Sequence, residues 1–273
     1  MLFKLRQSKS GIAASLVLAL IILLSGLSPW ISPADPNEQG DLLTSRYLPP
    51  SAKHLFGTDK FGRDIFSRVL AGGRISLAIA LSVVGIALAL GIAYGTISGY
   101  WGGFIDWTMM RFLDFWLAFP VIFLIIAMIA IFRPGTWFLV PLLSVTSWME
   151  TARIVRAEVL SLKSRQFILA AQGLGLRHSR VLLHHIIPNC LPVALVSVPL
   201  KIGQMILLES ALSFLGIGVQ PPIASWGSLI NDGREVLYQA WWISTFPGIF
   251  IVTTVICFNL IGEAIRKSLG GRE

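Results

Sequence analysis

Charged residues are scarce in this sequence. They make up 13% of its 273 residues, whereas 55% are hydrophobic, and the mean hydropathy is +0.74. A soluble domain of this length could not bury that much apolar surface, so the composition indicates a polytopic membrane protein. The net charge of +8 comes from Lys and Arg that flank apolar runs. This pattern favours charges that orient helices in a lipid bilayer, and it does not indicate a nucleic-acid partner.

Cysteine is nearly absent. Cys190 and Cys257 lie far apart, at or within apolar segments, which excludes a disulfide framework and is typical of packing residues. His178, His184 and His185 lie near Cys190 in sequence. Neighbouring histidines point about 100° apart on a helix, so solvated or interfacial histidines are the favoured interpretation and a metal site is the alternative.

Motifs for nucleotide binding and hydrolysis are also missing. The sequence has no Walker A loop, no His-Glu-x-x-His and no Gly-x-Ser-x-Gly. We therefore predict that the chain is not an enzyme and binds no cofactor or metal of its own. Work against a gradient would need ATP used by a separate partner chain.

The apolar runs predict an all-α polytopic membrane protein with about six transmembrane helices and with N- and C-termini in the cytoplasm. Basic residues at both ends support that sidedness, and an even number of crossings agrees with it. A cleaved signal peptide is the alternative for the first run, but no small-x-small cleavage site follows it. Positive charge in residues 33–73 argues against placing that segment outside the membrane, so on charge alone its sidedness stays open. Four segments are predicted: an N-terminal segment with the first span (1–32), an external loop with an amphipathic helix (33–73), a transmembrane domain (74–265) and a cytoplasmic tail (266–273). The transmembrane domain contains the further spans, at about 75–100, 107–131, 137–155, 193–212 and 241–261. It also contains a cytoplasmic loop (160–192).

Some residues inside the predicted spans are unusual for lipid. Pro120 should kink the third span and free a carbonyl group, and Arg111 and Asp114 can pair on one helix face. Glu209 should face the protein interior or water, because a charge in lipid is costly. Pro120 and Glu209 are therefore the predicted translocation-path residues, and an interfacial position near the outer end is the alternative for Glu209.

Glycine recurs in the second predicted span, at Gly85, Gly91, Gly95 and Gly99. Small residues let membrane helices approach closely, so this span is predicted to lie inside the bundle. Trp226 follows a glycine- and proline-rich break and is predicted to lie at the membrane interface.

The segment Gly57–Asp64 reads Gly-Thr-Asp-Lys-Phe-Gly-Arg-Asp and leads into an apolar helix face formed by Ile65, Phe66, Val69 and Leu70. That face is suited to the membrane surface or to the helix bundle. A phosphate-binding glycine loop is the alternative interpretation, but the Gly-Lys-Ser/Thr ending is missing.

The stretch 166–192 is the longest one that is neither a span nor a simple polar loop. It predicts two short amphipathic helices, Leu169–Leu176 and His178–Ile187, joined at Gly175, after which Pro188 and Pro192 turn the chain. The densest group of basic residues surrounds it, which indicates the cytoplasm. Such a pair of helices can seat in a groove of another protein.

The order Ala170-Ala171, Gly175, Ile187-Pro188 resembles the cytoplasmic coupling loop of ABC importer permeases. Leu169 and His185 depart from the general pattern, where glutamate and isoleucine are common. Three further stretches resemble the second permease of the dipeptide, oligopeptide and nickel branch. They are 57–64, 118–120 and 213–227.

This resemblance implies a multi-pass subunit of the bacterial inner membrane that moves peptides or nickel and other metal-chelate complexes into the cytoplasm. The implied partners are a second homologous permease subunit, two ATP-binding subunits that use ATP, an external solute-binding protein and the lipid bilayer. An ATP-independent channel or a membrane enzyme acting alone is the alternative. The residues that would couple the chain to the ATPase are Leu169, Ala170, Ala171, Gly175, His185, Ile187 and Pro188.

Overall fold

The computed structural model describes residues 9–132 and 135–270, and their regular structure is helical apart from one isolated antiparallel bridge between Thr58 and Asp64. The sequence Arg133-Pro134-Gly135 predicts a tight turn, and its first two residues lie outside the described residues. A 3₁₀ turn (Thr136–Phe138) and a π-helical turn (Leu182–Ile186) accompany the α-helices. The α-helices are α1 (Lys9–Gly26), α2 (Ser28–Ile31), α3 (Ile65–Trp101), α4 (Gly103–Leu117), α5 (Val121–Phe132), α6 (Leu139–Lys163), α7 (Gln166–Gly173), α8 (His178–Val181), α9 (Ile187–Val196), α10 (Val198–Phe214), α11 (Trp226–Arg234) and α12 (Trp242–Gly270).

The described residues divide into two compact units. Residues 9–81, 135–139 and 199–270 belong to unit 1, and residues 82–132 and 140–198 belong to unit 2. Helix α3 contributes its first part to unit 1 and its second part to unit 2.

The predicted all-α membrane fold is confirmed. By length and composition, four described helical stretches could cross a membrane, and the pair α4 and α5 would make a fifth if it counts as one span. These four stretches are Lys9–Gly26, Ile65–Trp101, His178–Val196 and Trp242–Ser268. The predicted number of about six spans and the sidedness of the termini stay predictions.

Prolines explain where helices differ from the predicted spans. The predicted third span is bent by 77° between α4 and α5, where Pro120 lies, as expected for a residue that cannot donate to the preceding turn. The predicted fifth span is interrupted at Ser197, and α10 restarts with Pro199 in its first turn, where a missing N–H is tolerated. Helix α3 begins at Ile65 and not near residue 75, because the predicted amphipathic helix and the second span are continuous.

Close packing of α3 against α6 organises unit 2. A methyl group at Gly95 would overlap the carbonyl oxygen of Ala152 and would lie 2.9 Å from Cβ of Val155. Gly91 and Gly99, one helical turn to either side, approach α6 just as closely. The predicted role of these small residues is confirmed, whereas Gly85 faces open space.

In unit 1, α12 packs against α1 and α11. Trp226 opens α11 and is fully buried, with its indole Nε1 donating to the carbonyl oxygen of Val69 at 3.0 Å. The prediction of an interfacial Trp226 was therefore wrong. Its N–H finds a partner at the start of α3, which the sequence pattern around Trp226 does not reveal.

Replacing Gly95 with leucine should destabilise the protein, because the larger side chain overlaps the backbone of α6. We expect a loss of about 1–3 kcal/mol or a failure to fold. The measurement is the thermal unfolding midpoint of the purified chain in mild detergent. Gly85→Leu is the matched control on the same helix and should leave the midpoint nearly unchanged. Equal midpoints for the two variants would contradict the packing described here.

Candidate functional site

The predicted coupling loop contains a helix that ends at a glycine. Helix α7 runs from Gln166 to Gly173, and Gly175 follows with a φ of 74°. The Gly175 N–H donates to the carbonyl of Gln172 at 3.0 Å, and the Leu176 N–H donates to that of Ala171 at 3.2 Å. These two hydrogen bonds form a Schellman motif, in which the residue with left-handed backbone angles is usually glycine. The prediction that Gly175 ends the first short helix is confirmed.

The second part of the loop differs from its prediction. The chain is continuously helical from His178 to Val196, through the π-helical turn Leu182–Ile186. Pro188 lies in the first turn of α9 and Pro192 lies inside it, so these prolines do not turn the chain away. Pro188 is tolerated there because the first turn of a helix does not need its N–H. The side-chain amide of Asn189 donates to the carbonyl oxygen of His185 at 2.5 Å.

One face of these helices is anchored in unit 2. Ile168 and Ala171 of α7 are buried in a cluster with Val181 and Ile186 from the following helical stretch. The cluster also contains Tyr100 from the end of α3.

The opposite face leaves large apolar side chains in the open. Leu174 is 83% exposed, Leu183 is 60% exposed and Leu169 is 53% exposed. Arg177 and Arg180 of the same segment are also exposed. Exposed large apolar side chains together with arginine are typical of surfaces that bind another protein. We call the exposed residues Leu169, Leu174, Leu183, Arg177 and Arg180 the loop surface.

The predicted coupling residues are divided between the two faces. Leu169, Ala170, Gly175 and Pro188 are exposed, His185 and Ile187 are half-buried, and Ala171 is buried in the cluster. The structure therefore offers four of them to a partner, whereas Ala171 holds α7 on the unit. Their role in coupling stays a prediction.

Histidine and cysteine do not meet at a common point here. His178 Nδ1 lies 2.7 Å from the Tyr100 hydroxyl, while Cys190 is buried in the apolar cluster. Among the described residues, no three His, Cys, Asp or Glu side chains are arranged to hold a metal ion.

Acidic side chains of α4 pair with α6. The Arg153 guanidinium donates to Asp114 at 2.5 Å, and that of Arg156 donates through two nitrogens to Asp106, also at 2.5 Å. The predicted pair of Arg111 with Asp114 was wrong, since Arg111 stacks over the ring of Trp107 instead. The intrahelical spacing allowed that pair, but a cation on a neighbouring helix competes for the same carboxylate.

Glu209, one of the two predicted path residues, is fully buried in unit 1. Its carboxylate accepts from the hydroxyl groups of Ser76 at 2.9 Å and Ser213 at 2.7 Å. It joins α10 to the first part of α3 through Ser76, whereas Ser213 lies one turn further along α10. The prediction that Glu209 faces the protein interior or water is confirmed, while its depth in the membrane stays a prediction. Pro120 is exposed between α4 and α5 in unit 2, and the path role of both residues stays a prediction.

The loop 57–64 is closed by its own side chains. The carboxylate of Asp59 accepts from the backbone N–H groups of Phe61 at 2.8 Å and Arg63 at 3.0 Å, and from Nε of Arg63 at 2.6 Å. A phosphate-binding loop needs such N–H groups free for its ligand. The alternative interpretation of a phosphate site is therefore excluded.

A cavity of about 360 Å³ adjoins this loop in unit 1 and is lined by Lys60, Arg63, Arg68 and Asp232 among others. Burial holds the pKa of Asp232 above its ordinary value, although the neighbouring charges of Arg68, Lys60 and Arg63 act to lower it. A second cavity, of about 630 Å³, lies beside Asp35 and Arg74. Glu209 lines neither cavity.

Comparison with known families identifies the chain. Residues 91–272 match the family described as the inner membrane component of binding-protein-dependent transport systems. The chain belongs to this family. Residues 1–50 of this permease also match the N-terminal transmembrane domain of oligopeptide transport permease C. The resemblance on which the sequence analysis relied is confirmed, and so is the inner-membrane location.

Similar proteins cover the permease almost end to end. It is 37% identical to the oligopeptide transport system permease protein OppC of Haemophilus influenzae, over 98% of this chain and 86% of that protein. It is 36% identical to the dipeptide transport system permease protein DppC of Bacillus subtilis, over 97% and 83% of the two chains. The crystal structure of an amino acid ABC transporter with histidines matches at a TM-score of 0.56, over 74% of this chain and 94% of that one. That match is 14% identical and supports the fold alone.

Several residues that organise the permease carried no sequence signal. Ser76 binds Glu209 across 133 positions of sequence, and Tyr100 meets His178 across 78. Asp106 could have been suspected, because it is an isolated acid in an apolar stretch that must find a cation.

Glu209→Ala should destabilise the permease, because the hydroxyl groups of Ser76 and Ser213 lose their acceptor inside the protein. We expect a cost of about 1–3 kcal/mol, read as a lower unfolding midpoint in detergent. Glu209→Gln keeps one acceptor oxygen and should lower the unfolding midpoint less than Glu209→Ala does. Unchanged stability of Glu209→Ala would contradict the structural role, and unchanged substrate uptake would remove the predicted path role.

Proposed function

We propose that this permease carries peptides into the cytoplasm as one subunit of an ATP-driven importer. Its relatives over nearly the whole chain bear the names of oligopeptide and dipeptide permeases, which favours peptides over nickel and other metal chelates. ATP would be used by two partner subunits, because the sequence contains no Walker A loop. A second homologous permease and an external solute-binding protein would complete the assembly.

The loop surface is the observation that carries the proposed coupling. Leu169 and Leu174 stand exposed on either side of the α7 end, while Ile168 and Ala171 anchor the same helix in unit 2. An element that is firmly held on one face and apolar on the other can bind a partner and pass on its movement. We assign the ATP-binding subunits to this surface.

The composition of the assembly tests this proposal. The tagged permease, extracted in mild detergent, should co-purify with a second permease and with ATP-binding subunits. Reconstituted into vesicles, the assembly should take up a labelled dipeptide or oligopeptide only when ATP is supplied on the side of the ATP-binding subunits and binding protein on the other side. A labelled nickel chelate is the competing substrate. Flux without nucleotide, or a chain that purifies alone and transports, would favour the channel alternative.

Gly175→Asp should uncouple transport from ATP hydrolysis. The substitution adds a side chain and a charge to the turn next to the exposed Leu174, and burying a charge against a partner is costly. We expect peptide uptake by the reconstituted assembly to fall at least about tenfold, with normal expression of the permease.

Gly175→Asn is the matched control, since asparagine is similar in size and tolerates the left-handed backbone region without bringing a charge. It should keep most of the uptake. If Gly175→Asp transports at the wild-type rate, the coupling role of the turn is contradicted.

A further inference from the structure

Tyr100 lies where α3 meets both short helices of the coupling loop. It is the second-last residue of α3, and its side chain is 4% exposed. The hydroxyl group lies 2.7 Å from Nδ1 of His178, which opens α8, and the Gln172 amide of α7 donates to it at 3.5 Å. One hydroxyl group thus contacts the helices on both sides of the Gly175 turn.

The backbone of Tyr100 is held as well. Nζ of Lys163, the last residue of α6, donates to the Tyr100 carbonyl oxygen at 2.6 Å and lies 5.8 Å from the centre of its ring. This bond satisfies a carbonyl group that the end of α3 would otherwise leave without a helical partner. The end of α3 is therefore tied to α6 through its backbone and to the coupling loop through its side chain.

These two attachments differ in what they can transmit. The lysine bond joins two long helices that already pack closely through Gly95 and Gly99, so it mainly fixes the position of Tyr100. The hydroxyl group is the polar link from α3 to two helices that present the loop surface. Movement of α7 and α8 would shift the end of α3 through it, and α3 is one continuous helix from Ile65 to Trp101.

We infer that Tyr100 is a positioning residue for transport, whose hydroxyl group passes the movement of the coupling loop to α3. This inference rests on the proposed function, because it needs ATP-binding subunits on the loop surface. Tyr100 touches neither the peptide nor the ATP-binding subunits in this account. It acts through His178 and Gln172.

Tyr100→Phe tests the inference with little risk to folding. The ring keeps its place in the cluster with Val155 and Val159, the bond from Lys163 to the backbone is retained, and the exposed His178 can turn to water. In the reconstituted assembly, we expect normal co-purification of the ATP-binding subunits and continued ATP hydrolysis. The number of ATP molecules hydrolysed per peptide transported should rise about fivefold.

Tyr94→Phe is the matched control. Tyr94 lies on the same helix in the same unit, and its hydroxyl donates to the Met109 carbonyl oxygen at 2.8 Å, away from the coupling loop. Its removal should leave the ATP-to-peptide ratio unchanged. A purely structural role for tyrosine hydroxyl groups on α3 would instead affect the two variants alike.

Variants of His178 give a second test of the inference. His178→Ala removes one of the two contacts of the Tyr100 hydroxyl group, so it should raise the ratio, though by no more than Tyr100→Phe does. The double variant should do no more than Tyr100→Phe alone, because the tyrosine substitution already removes the bond to His178. His178→Asn places a polar atom near the position of Nδ1 and should restore part of the coupling. An additive double variant would overturn the inference.

Failure of this inference is distinguishable from failure of the proposed function. If the wild-type assembly moves no peptide or needs no ATP, the proposed function fails. If the wild type couples normally and Tyr100→Phe keeps its ratio of ATP to peptide, the inference about Tyr100 fails and the proposed function stands.

Discussion

The close approach of α3 and α6 sets the geometry of unit 2. Gly91, Gly95 and Gly99 remove side chains from one stripe of α3, so that the α6 backbone can lie against it. In a bilayer, where lipid is as apolar as leucine, association depends on such packing more than on hydrophobic burial. The contact brings Lys163, at the end of α6, to the carbonyl of Tyr100 at the end of α3. The helices of the loop 166–192 follow directly after that contact.

Several buried or half-buried charged groups in both units are satisfied by neighbouring helices or loops. In unit 1, the serine hydroxyl groups of Ser76 and Ser213 bind Glu209, and the loop 57–64 closes around Asp59. In unit 2, Arg156 binds Asp106. An unpaired polar group is costly in an apolar surrounding. Ser76 with Glu209 and Arg156 with Asp106 therefore join helices that are distant in sequence, whereas the bonds of Asp59 and Ser213 are local. The loop surface differs, because the apolar side chains of Leu169, Leu174 and Leu183 are exposed there.

Structural features that follow from one residue or its neighbours could be predicted from the sequence, and features that depend on another helix could not. The bend at Pro120 and the helix end at Gly175 were predictable, because each follows from the backbone of one residue. Pro188 and Pro192 were misread, since a π-helical turn and neighbouring groups can accommodate them in a continuous helix. Asp114 was paired with the wrong arginine for a different reason. Its spacing from Arg111 is local, whereas Arg153 reaches it from another helix.

Composition and the positions of proline and glycine determined an all-α membrane fold with a helical loop at 166–192, and motifs that resemble ABC importer permeases indicated the family. These properties are encoded in runs of adjacent residues, because a membrane forces backbone hydrogen bonds to close within each helix. Only the tertiary structure decided that Trp226 and Glu209 are buried, which face of α7 is exposed, and that Tyr100 meets His178 and Gln172. The physical reason is that side-chain partners are chosen by distance in space. Pairs separated by 78 or 133 positions leave no periodic trace in the sequence.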